Sequence, residues 1–324
     1  MEWEGLTGLS ISNLSASLVT PYTQLVERQK ISPNITDLFD EKIAIHPFTA
    51  ALYRRKQVFD KFGFDRFYYL DSPDKLTYTD KIEQSPRISD DSAYKETLKA
   101  LQSNTETSQF IQLSTMQNHM PYDDYYSELN YTAEGTAVIP NRRKELQTYM
   151  QGLHYTDTAV KKFIQEIDKI DKPITFVFYG DHLPAIYSGN DSKKYGLEQH
   201  QTDYFIYNNK YSREQAATLN KEVVAPNNFG AMALEHANIK VTPYYALLTE
   251  VSNHLPALTI DPTESLSNRF NGKQVFVTED SQIIQEKNLT EKQKEILEDY
   301  RLIQYDLVAG NQYSATWATQ KIKD

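Results

Sequence analysis

Apolar residues along the chain fall into a few short unbroken runs, separated by longer stretches in which they recur every three or four positions. The densest run is Ile174-Thr-Phe-Val-Phe-Tyr179, set between Pro173 and Gly180. Such a run predicts a strand buried on both faces, as in the interior of a parallel sheet. Further strands are predicted over 42–45, 109–115 and 204–207. Helical spacing covers 34–42, 53–62, 89–101, 145–170, 227–237 and 244–251. Asp91 or Ser92 is the expected cap of the third of these. The longest carries a stripe of Val160, Phe163, Ile164, Ile167 and Ile170, with a kink or turn expected near Gly152. Residues 186–201 read as loop. Helix and strand alternate to about residue 255, which predicts βαβ units, hence an α/β fold with a mostly parallel central sheet and helices on both faces. Beyond 256 a short strand at 274–278 precedes one helix at 291–308, opened by the capping sequence Thr290-Glu-Lys-Gln. The expected organisation is therefore a domain over 1–256 and a small strand-helix appendage over 257–324.

Composition narrows what this fold can do. A formal net charge of -10 argues against nucleic acid as a partner, because phosphate contact needs a basic face. With no cysteine, thiolate metal sites and disulfides are excluded. Tyrosine outnumbers tryptophan 23 to 2, so much of the packing surface brings a hydroxyl that needs a partner. No apolar run approaches the roughly 20 residues of a membrane helix, and Met1-Glu-Trp-Glu-Gly lacks the basic start of a signal peptide. The chain as written is expected to be soluble.

Three predicted strands end in histidine: His46 after 42–45, His119 after 109–115 and His182 after 173–180. Polar groups past the carboxyl ends of parallel strands sit where open α/β sheets place their ligands. Asp181 offers a hard oxygen and His182 a borderline nitrogen, a pair suited to Zn²⁺ or Mn²⁺. Each histidine alone is more simply structural. Three in the same relation to a strand are harder to assign to chance. His154, His236 and His254 lie in helical or helix-end contexts and are read as structural, as is His200 in Glu198-Gln-His-Gln-Thr-Asp203.

The stretches that carry these residues resemble a known family. Thr115-Met-Gln-Asn-His-Met-Pro-Tyr122 is similar to the Thr-x-x-Asn-His-x-Pro-Phe/Tyr stretch of lipoteichoic acid synthases and related phosphoglycerol transferases. Tyr179-Gly-Asp-His-Leu-Pro184 resembles their metal-binding Tyr-Gly-Asp-His. His46-Pro-Phe-Thr-Ala-Ala-Leu-Tyr-Arg-Arg-Lys56, followed by Phe62-Gly-Phe-Asp65, resembles their substrate-pocket segment. Glu2-Trp-Glu-Gly-Leu-Thr-Gly-Leu-Ser10 resembles the helix that follows their nucleophile. The resemblance runs from residue 2 to about 255 and continues weakly into 299–306.

The resemblance implies an alkaline-phosphatase-like or sulfatase-like fold with one divalent cation, Mn²⁺ or Mg²⁺. It implies transfer of glycerol phosphate from phosphatidylglycerol, by way of a threonine, to a growing polymer on the extracellular face of a bacterial plasma membrane. Carried over by position, Asp181 and His182 become metal ligands. His119 becomes a catalytic phosphate or leaving-group contact, and His46, Tyr53, Arg55 and His119 form the glycerol-phosphate pocket. Phe48 stands where an acidic residue is common in the family. The acidic ligand and the threonine belong before the Glu-Trp-Glu helix, with which this chain opens. Thr7 lies too late to replace the latter. The expectation is thus a chain that is inactive alone, holds its cation weakly, and meets the membrane only through a region upstream. A sulfatase or phosphoethanolamine transferase of the same superfamily, and a non-catalytic binder of glycerol-phosphate polymer, are the alternatives. The missing cysteine weighs against a sulfatase that makes formylglycine from it.

Overall fold

A computed structural model describes residues 1–18, 20–104, 106–136, 138–187, 189–264 and 272–320. In chain order the helices are α1 (Glu2–Thr7), α2 (Pro21–Gln24), α3 (Arg55–Lys61), α4 (Asp90–Ser103), α5 (Arg143–Ile167), α6 (Ser192–Gln199), α7 (Phe229–His236), α8 (Pro243–His254), α9 (Glu291–Val308) and α10 (Ala315–Thr319). The strands are β1 (Glu41–His46), β2 (Arg66–Tyr69), β3 (Gln109–Leu113), β4 (Thr175–Tyr179), β5 (Tyr204–Asn208), β6 (Ala257–Ile260), β7 (Gln274–Val277) and β8 (Ile283–Ile284). They gather into two compact units, one of residues 39–172 and 183–191, the other of 1–38, 173–182 and 192–324.

The unit of residues 39–172 and 183–191 is built on a parallel sheet in the order β2-β1-β3, with Ile43 opposite Arg66 on one side and Ile111 on the other. Helices α3 and α4 make the crossovers that parallel neighbours require. Ile43, Ile45 and Ala100 form a buried cluster, with Tyr68, Leu76, Ile111 and Leu113 packed around it. Helix α4 is capped by Ser89, whose hydroxyl accepts from the amide of Ser92, two or three residues earlier than the predicted caps. Helix α5 buries Val160, Phe163 and Ile167 of the expected stripe, and Phe163 stacks on Tyr94 with ring centroids 4.8 Å apart. It runs unbroken through Gly152. The glycine is there for proximity: a Cβ at this position would strike the side-chain oxygen of Asn118.

In the unit of residues 1–38, 173–182 and 192–324, β4 pairs antiparallel with β5, Phe178 opposite Phe205. This differs from the parallel, doubly buried strand expected over 173–180; every residue of β4 is only partly buried. The rings that make the run look like a core strand stack on one another, Phe178 over Phe205 at 5.1 Å and Tyr179 over Phe229 at 4.5 Å. A second antiparallel sheet has the order β6-β7-β8. Two buried tyrosines of this unit find carbonyl acceptors: Tyr244 donates to the Thr7 carbonyl at 2.6 Å and Tyr300 to that of Gly8 at 2.8 Å. Gln304 brackets Ser10, accepting from its amide at 3.1 Å and donating to its carbonyl at 2.7 Å. Helix α9 is thereby tied to the first ten residues.

Two local expectations are corrected. The helix read over 34–42 is a single 3-10 turn, Ile35–Leu38, before β1 begins. Asn34 accepts from the Thr36 amide and Asp37 from the Asn34 amide, side-chain bonds that compete with a helix. The loop read over 186–201 contains α6. No helix among the described residues is long and apolar enough to cross a membrane.

Candidate functional site

Pairing of β1 with β3 continues past the strand ends, where the Ser114 amide donates to the Ile45 carbonyl at 3.0 Å. That contact sets the Ser114 carbonyl beside the next side chain of β1, His46, which is buried. His46 Nδ1 lies 2.9 Å from the Ser114 oxygen. A carbonyl can only accept, so Nδ1 carries the proton and Nε2 is the acceptor of the neutral ring. Arg55 supplies the donor, its Nη1 standing 3.4 Å from His46 Nε2.

Arg55 is the first residue of α3 and is itself buried. The chain reaches it through Tyr53 and Arg54, whose φ angles of 57° and 51° put both in the left-handed region. Two consecutive non-glycine residues there cost on the order of 1–3 kcal/mol each. In return the backbone reverses within two residues. Arg55 points back toward His46, and the exposed Tyr53 ring lies 5.6 Å from the guanidinium carbon. His46, Tyr53 and Arg55, named from sequence, are therefore one cluster.

His119 belongs to the same unit and lies on the loop after β3. Its Nδ1 is 3.0 Å from the Met120 carbonyl, so this ring too is protonated on Nδ1. A second side chain, Arg87, donates to the same Met120 carbonyl at 2.9 Å. The Arg87 guanidinium carbon stands 4.7 Å from the centre of the Phe48 ring, and that ring is 6.2 Å from the His46 imidazole. Sequence reading missed Arg87. It precedes a helix cap in a polar stretch, and nothing in its neighbours marks it.

The His119 loop is held from behind by a buried polar network that was also missed. Asn118 and Gln117 both donate to the Thr156 hydroxyl, at 2.8 and 3.1 Å, and Thr156 donates onward to Asp90 at 2.6 Å. Gln117 accepts from the Asp90 amide at 2.9 Å, closing the ring of bonds. Burial pushes the Asp90 carboxyl up to about 6, against hydrogen bonds from Thr156, Thr115 and Gln117 that pull it down. An acid in the first turn of a helix reads from sequence as a capping charge, which hides its role as a hub.

Asp181 and His182 sit just past β4, in the unit that does not contain His46 and His119. Gly180 is required before them because a Cβ there would collide with the Thr202 side chain. Asp181 Oδ1 is 3.7 Å from His182 Nε2, and both side chains are largely exposed. Carboxylate and imidazole are donor types that fit a divalent cation. Among the described residues, however, no group of three or more histidine, aspartate or glutamate side chains is placed to hold one. Thr7 is buried, its hydroxyl donating to the Trp3 carbonyl at 2.7 Å and accepting from the Leu9 amide at 3.2 Å, which is the bonding of a helix end. His200, His236 and His154 each place Nδ1 against a nearby oxygen, of Gly196, Ala217 and Tyr131 respectively.

Comparison with known proteins bears on this arrangement. The sulfatase family model matches residues 1–239. The structure of the Streptococcus pyogenes phosphoglycerol transferase GacH, in complex with sn-glycerol-1-phosphate, superposes with a TM-score of 0.77 at 28% identity, covering 100% of this chain and 76% of that one. The Listeria monocytogenes lipoteichoic acid synthase LtaP shares the fold, with a TM-score of 0.56 at 19% identity over 100% of this chain and 80% of that one. A Rhizobium meliloti protein named for cyclic β-1,2-glucan modification is 27% identical over 97% of this chain and 48% of its own length. The chain thus spans about half of that relative, and 33% of a second from the same organism, the capsular polysaccharide biosynthesis protein RkpI.

Proposed function

Because the chain belongs to the sulfatase family, with an alkaline-phosphatase-like α/β fold, we propose that it handles glycerol phosphate as part of a phosphoglycerol transferase. The donor is phosphatidylglycerol, the acceptor a polymer, and the place of action the outer face of the plasma membrane. The observation that carries the reading is the His46–Arg55 hydrogen bond, which gives a buried guanidinium a fixed direction beside an imidazole of fixed tautomer. A guanidinium fork of this kind matches phosphate oxygens, which a lysine cannot reproduce.

In this reading His46, Tyr53, Arg55 and His119 form the glycerol-phosphate pocket, and residues 1–256 carry it with 257–324 as the accompanying C-terminal part. Arg55 holds the phosphate, and Tyr53 flanks the glycerol. His119 is the phosphate or leaving-group contact, with the ring held by its Nδ1–H bond to the Met120 carbonyl. Asp181 and His182 would supply two of the donors to Mn²⁺ or Mg²⁺, and such a cation lowers the pKa of an attacking hydroxyl and offsets charge on the phosphoryl oxygens. The names of the Rhizobium relatives favour a second reading of the acceptor, a cell-surface glycan in place of a lipoteichoic-acid-type polymer.

Calorimetric titration with sn-glycerol-1-phosphate is the test. Binding that is lost in His119→Ala and in Arg55→Ala, with melting temperature preserved, supports the pocket; heats unchanged in both variants would remove it.

A further inference from the structure

Arg87 has the features of a ligand-binding group that the pocket described above does not use. Its backbone is pinned: its own amide donates to the Ser85 hydroxyl at 3.3 Å, and the two residues that follow are tied as well. Ile88 bridges to Lys81, and Ser89 caps α4 while its own amide donates to the Asp80 carbonyl at 2.9 Å. The side chain lies on the Phe48 ring, so its position is set by an aromatic face and not by an acid. Among the described residues no carboxylate forms an ion pair with it. Of its guanidinium nitrogens, Nη2 is committed to the Met120 carbonyl, Nε is buried without a hydrogen-bond partner, and Nη1 has no protein partner among the described residues.

An arginine held this firmly with no counter-charge is uncommon, since a partly buried cation is costly unless an anion meets it. Arg87 stands beside groups already assigned. Arg87 shares one carbonyl with His119 and one aromatic ring with His46, so the order around the pocket is Arg55, His46, Phe48, Arg87, His119. We propose that Arg87 is a second anion-recognising guanidinium of this pocket, taking a phosphate oxygen of the ligand that Arg55 and the histidines hold. This rests on the glycerol-phosphate reading. It adds that Phe48 acts as a platform for a cation, so the pocket selects ligands for negative charge at the rim beside His119.

The test compares wild type, Arg87→Gln, Arg87→Ala and Arg55→Ala in titrations with sn-glycerol-1-phosphate and with inorganic phosphate, at low and raised salt. Glutamine can still donate to the Met120 carbonyl but carries no charge. We expect Arg87→Gln to weaken both ligands about tenfold and to flatten the salt dependence, with an unchanged melting temperature. If Arg87→Gln binds as wild type while Arg87→Ala is weak, Arg87 merely props the loop, and the proposal fails. If Arg55→Ala loses binding and both Arg87 variants keep it, the proposal fails and the pocket stands. A wild-type chain that binds neither probe overturns both.

Discussion

Arg55 donates to His46, and the acceptor nitrogen exists only because the opposite nitrogen of the ring is spent on the Ser114 carbonyl. A strand-end contact between β1 and β3 therefore fixes the aim of a guanidinium nine residues away in sequence. The pairing makes the site sensitive to geometry as much as to charge.

Replacement of Arg55 by lysine tests that dependence. Charge is kept, but the fork and the bond to His46 Nε2 are not. Affinity for sn-glycerol-1-phosphate in Arg55→Lys should fall by about tenfold or more, the worth of one charge-assisted hydrogen bond at ~1.5–3 kcal/mol. Equal affinity by calorimetry would mean that only net charge matters here.

Asp90 predicts a pH signature of folding. Its carboxyl is raised from 3.8 to about 6 by burial. Between those values the folded chain holds a proton that the unfolded chain has released, so stability is greatest below about pH 4 and declines as pH rises through about 6. The contribution is on the order of 3 kcal/mol. In Asp90→Asn, urea denaturation midpoints should be flatter across this window than in wild type. A parallel decline in the variant would place the titrating group elsewhere.

At Gly152 helix propensity and packing make opposite predictions. Alanine is favoured over glycine inside a helix by about 1 kcal/mol, yet its methyl would enter the space of the Asn118 carboxamide. Overpacking of this kind costs ~1–3 kcal/mol, so Gly152→Ala should lower the melting temperature and Asn118→Ala should relieve the loss. A stabilised Gly152→Ala would show that the Asn118 loop yields freely.

Asp181 and His182 are two donors where a firmly held cation takes about four or more. Titration of Mn²⁺ followed by electron paramagnetic resonance should give weak binding to this chain, abolished in His182→Ala. Tight binding that survives the substitution would move the metal site away from this pair.

Much of the fold was legible because its signals are local. The alternation that sets β1, α4, β3 and α5 lies in hydrophobic spacing, and histidines at the ends of β1 and β3 marked the loops that carry the proposed pocket. What sequence could not disclose was pairing. The run at 174–179 has the composition of a buried parallel strand, but its aromatic rings stack across an antiparallel partner, and composition does not distinguish the two. The same holds for the site. His46, Tyr53 and Arg55 are close in sequence and were found together. Arg87 and Asp90 act on the His119 loop from about thirty residues away, through a shared carbonyl and a threonine hydroxyl that carry no sequence mark.

The hydrogen bonds between Ser10 and Gln304 join residues 294 positions apart. On a ribosome this separation becomes a delay. The unit that holds His46 and His119 has all its strands and helices in hand once residue 191 has emerged, whereas the other cannot close until α9 is made. At about 5–20 residues per second, α1 waits on the order of 15–60 seconds for its partner. During that interval Trp3, Leu6 and Leu9, all buried in the finished protein, are exposed on a nascent chain. That wait, and not the folded state, opens these side chains to aggregation and to capture by chaperones.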